Sequence, residues 1–206
     1  MADLRVHDLW PGACPLLGPS LYVWVQGCPR RCYGCFNQAT LDENGPARVM
    51  TPVDLASVWR QSGGGVVLSG GEPFSQSEGL AQFCKLVRAI EPETPILVYT
   101  GYLFRELLAG GGSWLDLLRQ VDVLVDGPYV YDRQTDSALL GSDNQRVFFL
   151  SRRVPPERLN QMPRAHVQVS LSADSTLRIV GTGGTGRLDM NGLIDRLRAS
   201  GVDLLE

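Results

Sequence analysis

Cys28-Pro-Arg-Arg-Cys32-Tyr-Gly-Cys35, followed by Phe36-Asn37, gathers three of the chain's five cysteines into eight residues with the spacing C-x3-C-x2-C. Three thiolates on one loop can bind one metal centre. Soft sulfur ligands select zinc, copper(I) or an iron–sulfur cluster. A closed zinc site wants four N or S ligands, typically from two paired knuckles. Here there is one triplet, with no second C-x2-C and no paired histidines. A [4Fe–4S] cluster on three cysteines leaves its fourth iron without a protein ligand, open to a substrate or cofactor. A zinc knuckle or three structural thiols is the competing reading. Cys14 and Cys84 have no partner at metal spacing. Cys84 lies in an amphipathic run, Leu80 to Val87, and reads as a buried inert thiol.

Working outward, Leu21-Tyr-Val-Trp-Val25 is β-branched and aromatic and predicts a strand that delivers the cysteine loop at its C-terminal end. Ligands of parallel α/β sheets and barrels sit at the carboxyl ends of strands. Residues 1–20, with Pro11, Gly12, Pro15, Gly18 and Pro19, read as an irregular lead-in. Thr51-Pro-Val-Asp54 opens a helix with Thr at the N-cap, Pro at N1 and an acid at N3. That helix runs to about Gln61 and stops at Gly63-Gly-Gly65. Val66 to Leu68 is the next strand and runs into Gly70-Gly71-Glu72-Pro73. Ser77 to Ile90 is helical, Pro95 to Tyr99 a strand, Leu103 to Ala109 and Trp114 to Gln120 short helices, and Val121 to Val125 a further strand ending in Asp126-Gly127. Strand, loop, helix repeats as in a parallel sheet with crossover helices. Four such strands are too few for a closed eight-stranded barrel. The predicted fold is α/β, a partial (β/α) barrel or curved, mostly parallel sheet. Val147 to Leu150 adds a strand, and the runs His166–Ser172 and Thr176–Val180 predict a C-terminal β-hairpin. Leu188 to Ser200 predicts a final helix. The organisation expected is a core over residues 1–150 and a C-terminal extension over 151–206, packed on that core.

With 206 residues, a net charge of −3 and 44% hydrophobic residues, the composition is that of an ordinary globular protein. Basic residues form only scattered pairs such as Arg30-Arg31 and Arg152-Arg153, so neither nucleic acid nor an anionic membrane is an expected partner. No apolar run approaches the ~18–20 residues of a membrane span. The polar start Met-Ala-Asp-Leu-Arg is unlike a signal peptide. Five cysteines with a tight triplet suit a reducing cytoplasm.

The triplet near the N-terminus, followed in order by a strand ending in Gly70-Gly71-Glu72-Pro73, resembles the radical S-adenosylmethionine (SAM) superfamily. Gly27-Cys28 to Asn37, Tyr99 to Tyr102, Val125-Asp126-Gly127 and Gly141 to Arg146 narrow the likeness to the small activating enzymes of anaerobic ribonucleotide reductase. Gly34 stands where the wider superfamily usually has an aromatic residue, and the activating branch often has glycine there.

The resemblance implies a [4Fe–4S] cluster and SAM as cofactors, with Cys28, Cys32 and Cys35 as iron ligands. It implies SAM contacts at Gly70, Gly71, Glu72 and Thr100, and adenine or cluster contacts from Tyr33, Phe36 and Asn37. Asp126 resembles the acidic position on the substrate side and is the expected catalytic residue. The reaction implied is reductive cleavage of SAM to a 5′-deoxyadenosyl radical that abstracts hydrogen, with activation of a glycyl radical enzyme partner. An external one-electron reductant of flavodoxin or ferredoxin type is then required. The alternative is a small tailoring enzyme acting on a peptide or small metabolite in a biosynthetic pathway. A plain iron–sulfur electron carrier fits poorly, since carriers normally use four cysteines. No cysteine follows residue 84, so auxiliary clusters are not expected.

Overall fold

The computed structural model describes residues 2–162, 166–171, 177–182 and 199. Its centre is four parallel strands: β2 (Gly18–Val25), β4 (Gly65–Gly70), β5 (Ile96–Tyr99) and β6 (Val123–Asp126). Antiparallel strands flank them. β1 (Leu4–Cys14) and β3 (Arg48–Met50) lie beyond β2, and β7 (Arg146–Phe149) lies beyond β6. The order is β3-β1-β2-β4-β5-β6-β7, an open sheet rather than a closed barrel. The expected open α/β sheet is therefore present, parallel at its centre and antiparallel at both flanks, so that the sheet as a whole is mixed.

The irregular lead-in is not. Residues 4–14 form the longest described strand, paired to β2 from Val6↔Val25 to Cys14↔Gly18 with a bulge between Val6 and Asp8. Pro11 and Gly12 suggested a loop. However, β3 covers only Leu4–Val6, so among the described residues the rest of β1 has an open side, where a proline without an N–H is tolerated.

Helices α1 (Pro52–Ser62), α2 (Ser77–Ile90), α3 (Phe104–Gly110) and α4 (Gly112–Leu118) all pack on one face. Parallel strands joined by crossovers of one hand put their helices on the same side. α1 starts as the sequence predicts: Thr51 and Asp54 form a reciprocal capping box, with Pro52 in the first turn. Alternation along the strands makes two cores. Leu21, Val23, Val66, Leu68, Ile96, Val98 and Leu124 meet helix residues Leu55, Trp59, Leu80, Phe83 and Val87. Val67, Leu97, Val123 and Val125 face the other way, where Leu16, Leu139 and Val154 cover them.

Val154, Leu159 and Met162 belong to that second core, whereas Leu150 packs against the helix-side one. Ser151 Oγ donates to Asp122 Oδ1 at 2.5 Å, and Arg153 Nη1 reaches the same oxygen at 3.2 Å. Arg158 Nη1 donates to the Leu16 carbonyl at 3.2 Å. β8 (His166–Leu171) and β9 (Leu177–Thr182) form the expected antiparallel hairpin. The Gln168 side-chain amide pairs with the backbone N–H and C=O of Ala13. The predicted helix over Leu188–Ser200 lies outside the described residues. Among the described residues no helix is long and apolar enough to cross a membrane.

Candidate metal centre and active site

Four loops meet where the parallel strands end: 26–47 after β2, 71–76 after β4, 100–103 after β5 and 127–145 after β6. With Gly70 and Asp126, the last residues of β4 and β6, they carry every candidate site residue. Parallel strands place their carboxyl ends at one edge, and that edge collects the chemistry.

The cysteine loop leaves β2 through Gly27, in the left-handed region at φ 98°. It is closed at its neck by Gly27 N–H to the Thr40 carbonyl at 2.8 Å and Cys28 N–H to the Leu41 carbonyl at 3.2 Å. Cys28 is buried, and Cys32 and Cys35 are half-buried. All three thiols are free. Burial pushes the Cys28 and Cys35 thiols up from their ordinary range. Backbone N–H groups of Arg30 and Arg31 oppose this at Cys28, and that of Asn37 at Cys35. These donors favour the thiolate form a metal centre needs. Among the described residues no three His, Cys, Asp or Glu side chains converge as ligands of one metal ion. A single zinc needs its sulfurs about 2.3 Å from one point. A cubane binds each thiolate to a different iron, so the donor set suits a cluster better than a single ion.

Gly70 has φ 94°, and a Cβ there would lie 2.6 Å from the Val25 nitrogen. A Cβ on Gly71 would lie 2.2 Å from the Gly27 carbonyl oxygen. The two glycines thus let the β4 turn lie against the root of the cysteine loop, and Gly71 N–H to Val25 O and Glu72 N–H to Gly27 O, both 2.8 Å, fasten it.

Glu72 is 1% exposed. Its carboxylate accepts from Phe74 N–H at 3.0 Å, the Thr100 hydroxyl at 2.8 Å and Gly101 N–H at 2.8 Å. Thr100 Oγ1 in turn accepts from Tyr102 N–H at 3.1 Å. Burial pushes the Glu72 carboxyl up to about 7, against the pull of its donors and of Arg30. The Arg30 guanidinium lies over the Tyr102 ring, 5.1 Å from its centroid.

Asp126 is fully buried at the end of β6. Its Oδ2 accepts from Phe104 N–H at 2.6 Å, and the Arg146 guanidinium grips both oxygens, Nε to Oδ1 at 2.9 Å. Gln145 Oε1 accepts from Gly141 and Ser142 N–H, its Nε2 donates to Gly127 O, and Asn144 Nδ2 donates to Pro128 O at 2.8 Å. The Asn-Gln-Arg stretch therefore ties down the loop after β6. Tyr33, 82% exposed, packs edge-on against Tyr131 at 5.4 Å, and Phe36 against Tyr129 at 4.8 Å. These two pairs join the cysteine loop to the 127–145 loop. Asn37 acts through its backbone, and its carbonyl accepts from Thr40 Oγ1 at 2.7 Å.

All the predicted residues are thus at one end of the sheet, but Glu72, Thr100 and Asp126 are engaged with protein partners. Tyr129, Tyr131 and Gln26 were not singled out from sequence. The aromatic alternation Tyr129-Val-Tyr131 and a glutamine just before Gly27-Cys28 were the available signals.

The sequence profile of the 4Fe-4S single cluster domain family matches residues 17–148. An anaerobic ribonucleoside-triphosphate reductase-activating protein of Enterobacteria phage T4 is 35% identical over 136 residues, covering 64% of this chain and 84% of the relative. The protein of that name from Escherichia coli (strain K12) is 33% identical over 145 residues, covering 65% and 90%. A pyruvate formate-lyase-activating enzyme of Staphylococcus epidermidis is 29% identical over 147 residues, covering 66% and 58%. Among solved structures, QueE from Escherichia coli aligns with a TM-score of 0.39 at 18% identity, over 48% of this chain and 52% of that one. The chain belongs to the 4Fe-4S single cluster family, as a radical SAM enzyme of the activating type whose cofactors are a [4Fe–4S] cluster and SAM.

Proposed function

We propose that this chain activates a glycyl radical enzyme by taking a hydrogen atom from a glycine Cα of that partner, an anaerobic ribonucleotide reductase being the first candidate. The observation that carries this is the match to the phage T4 and E. coli activating proteins over most of their length. Cys28, Cys32 and Cys35 hold the cluster. Gly70, Gly71, Glu72 and Thr100 frame the SAM pocket, with Tyr33, Phe36 and Asn37 on the cysteine-loop side. When bound, cluster and SAM together supply a one-electron cleavage of the sulfonium and the hydrogen-atom abstraction that follows.

The chain's own residues place and enclose that chemistry. Backbone N–H groups favour thiolates at Cys28 and Cys35. Glu72 joins the loops after β4 and β5 and provides a buried carboxyl on the side where a cation is bound. Asp126 works as a positioning residue, holding α3 through Phe104 and the loop after β6 through Arg146. The exposed aromatic rim of Tyr33, Phe36 and Tyr131 borders the approach to the centre. An external one-electron donor of flavodoxin or ferredoxin type completes the cycle. Glycine suits the target, because its Cα carries no side chain to block approach.

The test is anaerobic incubation with reductant, SAM and a partner deuterated at glycine Cα. Deuterium is expected in 5′-deoxyadenosine, together with a glycyl signal in electron paramagnetic resonance. Deuterium arriving only from a side-chain-labelled peptide or a labelled metabolite overturns the reading.

A further inference from the structure

We propose that Gln26 is the positioning residue that sets the cysteine loop, by tying the segment that closes its neck to the end of β2 so that Cys28 and Cys35 are held in one arrangement; this rests on the cluster assignment above. Gln26 is 2% exposed. Its Nε2 donates to the Asp42 carbonyl at 2.7 Å and the Ala39 carbonyl at 3.2 Å. Those acceptors bracket Thr40 and Leu41, the residues whose carbonyls receive Gly27 and Cys28 N–H. One side-chain amide therefore spans the returning segment of the loop on both sides of its backbone pairing. Its Oε1 lies 2.7 Å from His7 Nδ1. A primary amide has two N–H donors and a carbonyl acceptor, and both ends are engaged here. Its orientation is thereby fixed.

The surroundings are built around this amide. Gln26 N–H donates to the Arg5 carbonyl at 2.8 Å, and the Gln26 carbonyl accepts from Gln76 Nε2 at 2.9 Å. Gln76 also bonds both the N–H and the C=O of Arg5. A Cβ on Gly45 would lie 2.5 Å from Gln26 Nε2, so the glycine makes room for the grip. From the gripped segment the restraint passes on. Thr40 Oγ1 donates to the Asn37 carbonyl, and Asn37 N–H faces the Cys35 sulfur. At the other end Gln26 is two residues from Cys28 in the chain. A buried brace that served folding alone would not need to connect two ligands of one centre.

The substitution Gln26→Met keeps length and removes both donors. Gln26→Glu keeps shape and turns donors into acceptors facing two carbonyls. Trp59→Phe is the control: it deletes a buried hydrogen bond, Trp59 Nε1 to Gly64 O at 2.9 Å, at the opposite end of β4. The full-length chain is reconstituted anaerobically with iron and sulfide. Urea midpoint, iron release to a chelator and the reduced-cluster resonance spectrum are then compared. Outer-shell partners of metal ligands typically change affinity by about 10–100-fold. Roughly tenfold faster iron release and an altered resonance line shape are therefore expected in both Gln26 variants. Trp59→Phe should lower the urea midpoint and leave both cluster readouts as in the wild type. Wild-type release and line shape in a folded Gln26→Met chain overturn the proposal, as does an equal change in Trp59→Phe. If Gln26→Met does not fold, Gln26→Glu carries the expectation and the refutation alone. Thr40→Val, which removes the side-chain bond to the Asn37 carbonyl but leaves the Thr40 N–H bond to it at 3.0 Å, should then speed iron release by a smaller factor, with wild-type release in both overturning the proposal. A wild-type chain that takes up no iron overturns the cluster reading itself, a result separate from any difference between variants.

Discussion

The Thr100 hydroxyl donates to the Glu72 carboxylate at 2.8 Å in a place where Glu72 is 1% exposed, so the ends of β4 and β5 are joined by a buried carboxyl. Burial raises this group from 4.5 to about 7. A carboxyl raised in the folded state contributes stability in its protonated form. That contribution is full below pH 4.5 and is lost as pH climbs through about 7. The cofactor-free chain should accordingly lose stability across this window, on the order of 3 kcal/mol from this group alone. Glu72→Gln should flatten the dependence. It should also lower stability at acid pH by about 1–3 kcal/mol, because an amide N–H₂ would face a donor now facing an oxygen. Urea midpoints at several pH values check both parts, and an unchanged slope in Glu72→Gln refutes the assignment.

Asp126 yields a sharper division between scaffold and chemistry. With both oxygens bonded to Arg146 and one also to Phe104 N–H, it is expected to act through position. Arg146→Ala leaves a buried carboxylate with its charge partner gone. Removing one partner of a buried pair costs about 3–5 kcal/mol, and the half-exposed Arg146 puts this case at or below about 3. Asp126→Asn should cost less, and the double variant less than the sum. SAM cleavage and hydrogen abstraction should decline in parallel in all three. A selective loss of abstraction in Asp126→Asn at native stability would show that Asp126 touches substrate.

α1 was legible because Thr51, Pro52 and Asp54 are local signals and the capping box they predict is present. The parallel strands were legible because each is a short β-branched run. β1 was hidden because Pro11 and Gly12 suit an open strand side as well as a loop, and only tertiary pairing decides between them. Gly34 could be seen as a departure from the superfamily but not explained. Its φ of 67° and a Cβ position 2.4 Å from the Tyr131 ring supply the reason, and Tyr131 is 97 residues away. Glu72 lies just past β4 and Asp126 at the end of β6, and their partners are invisible in the sequence, since Gly101, Phe104 and Arg146 come from other elements.

The cysteines separate into two groups by location. Cys28→Ala, Cys32→Ala and Cys35→Ala should each abolish a stable four-iron cluster, because only these three share the loop. Cys84 is 0% exposed on the buried face of α2, where burial lifts its thiol to about 12. Cys84→Ser should cost about 1–3 kcal/mol from a buried hydroxyl and keep the cluster. Cys14→Ala should likewise keep it. Iron and labile sulfide after anaerobic reconstitution decide this. Loss of cluster in Cys84→Ser at native fold contradicts the grouping.

The C-terminal side of the chain divides at about Met162 in what it should do. Val154 is 0% exposed against Val67, Leu97 and Val123, with Leu159 and Met162 packed beside it. Ser151 and Arg153 hold Asp122, which also takes Ile96 N–H and Arg88. A chain ending at Leu150 would strip this cover from a sheet face and leave Asp122 with fewer partners, so insolubility is expected. A chain ending at Met162 keeps the cover and loses the Gln168 clasp on Ala13. We expect it to be soluble, to bind a full cluster and to cleave SAM at the wild-type rate when no partner is present. If the segment beyond Met162 recognises the partner, deuterium transfer from glycine Cα should fall at least tenfold while that uncoupled cleavage is unchanged. Equal transfer by the shortened and full chains would assign recognition to the loops around the centre, with the aromatic rim of Tyr33, Phe36 and Tyr131 as the surface to mutate next.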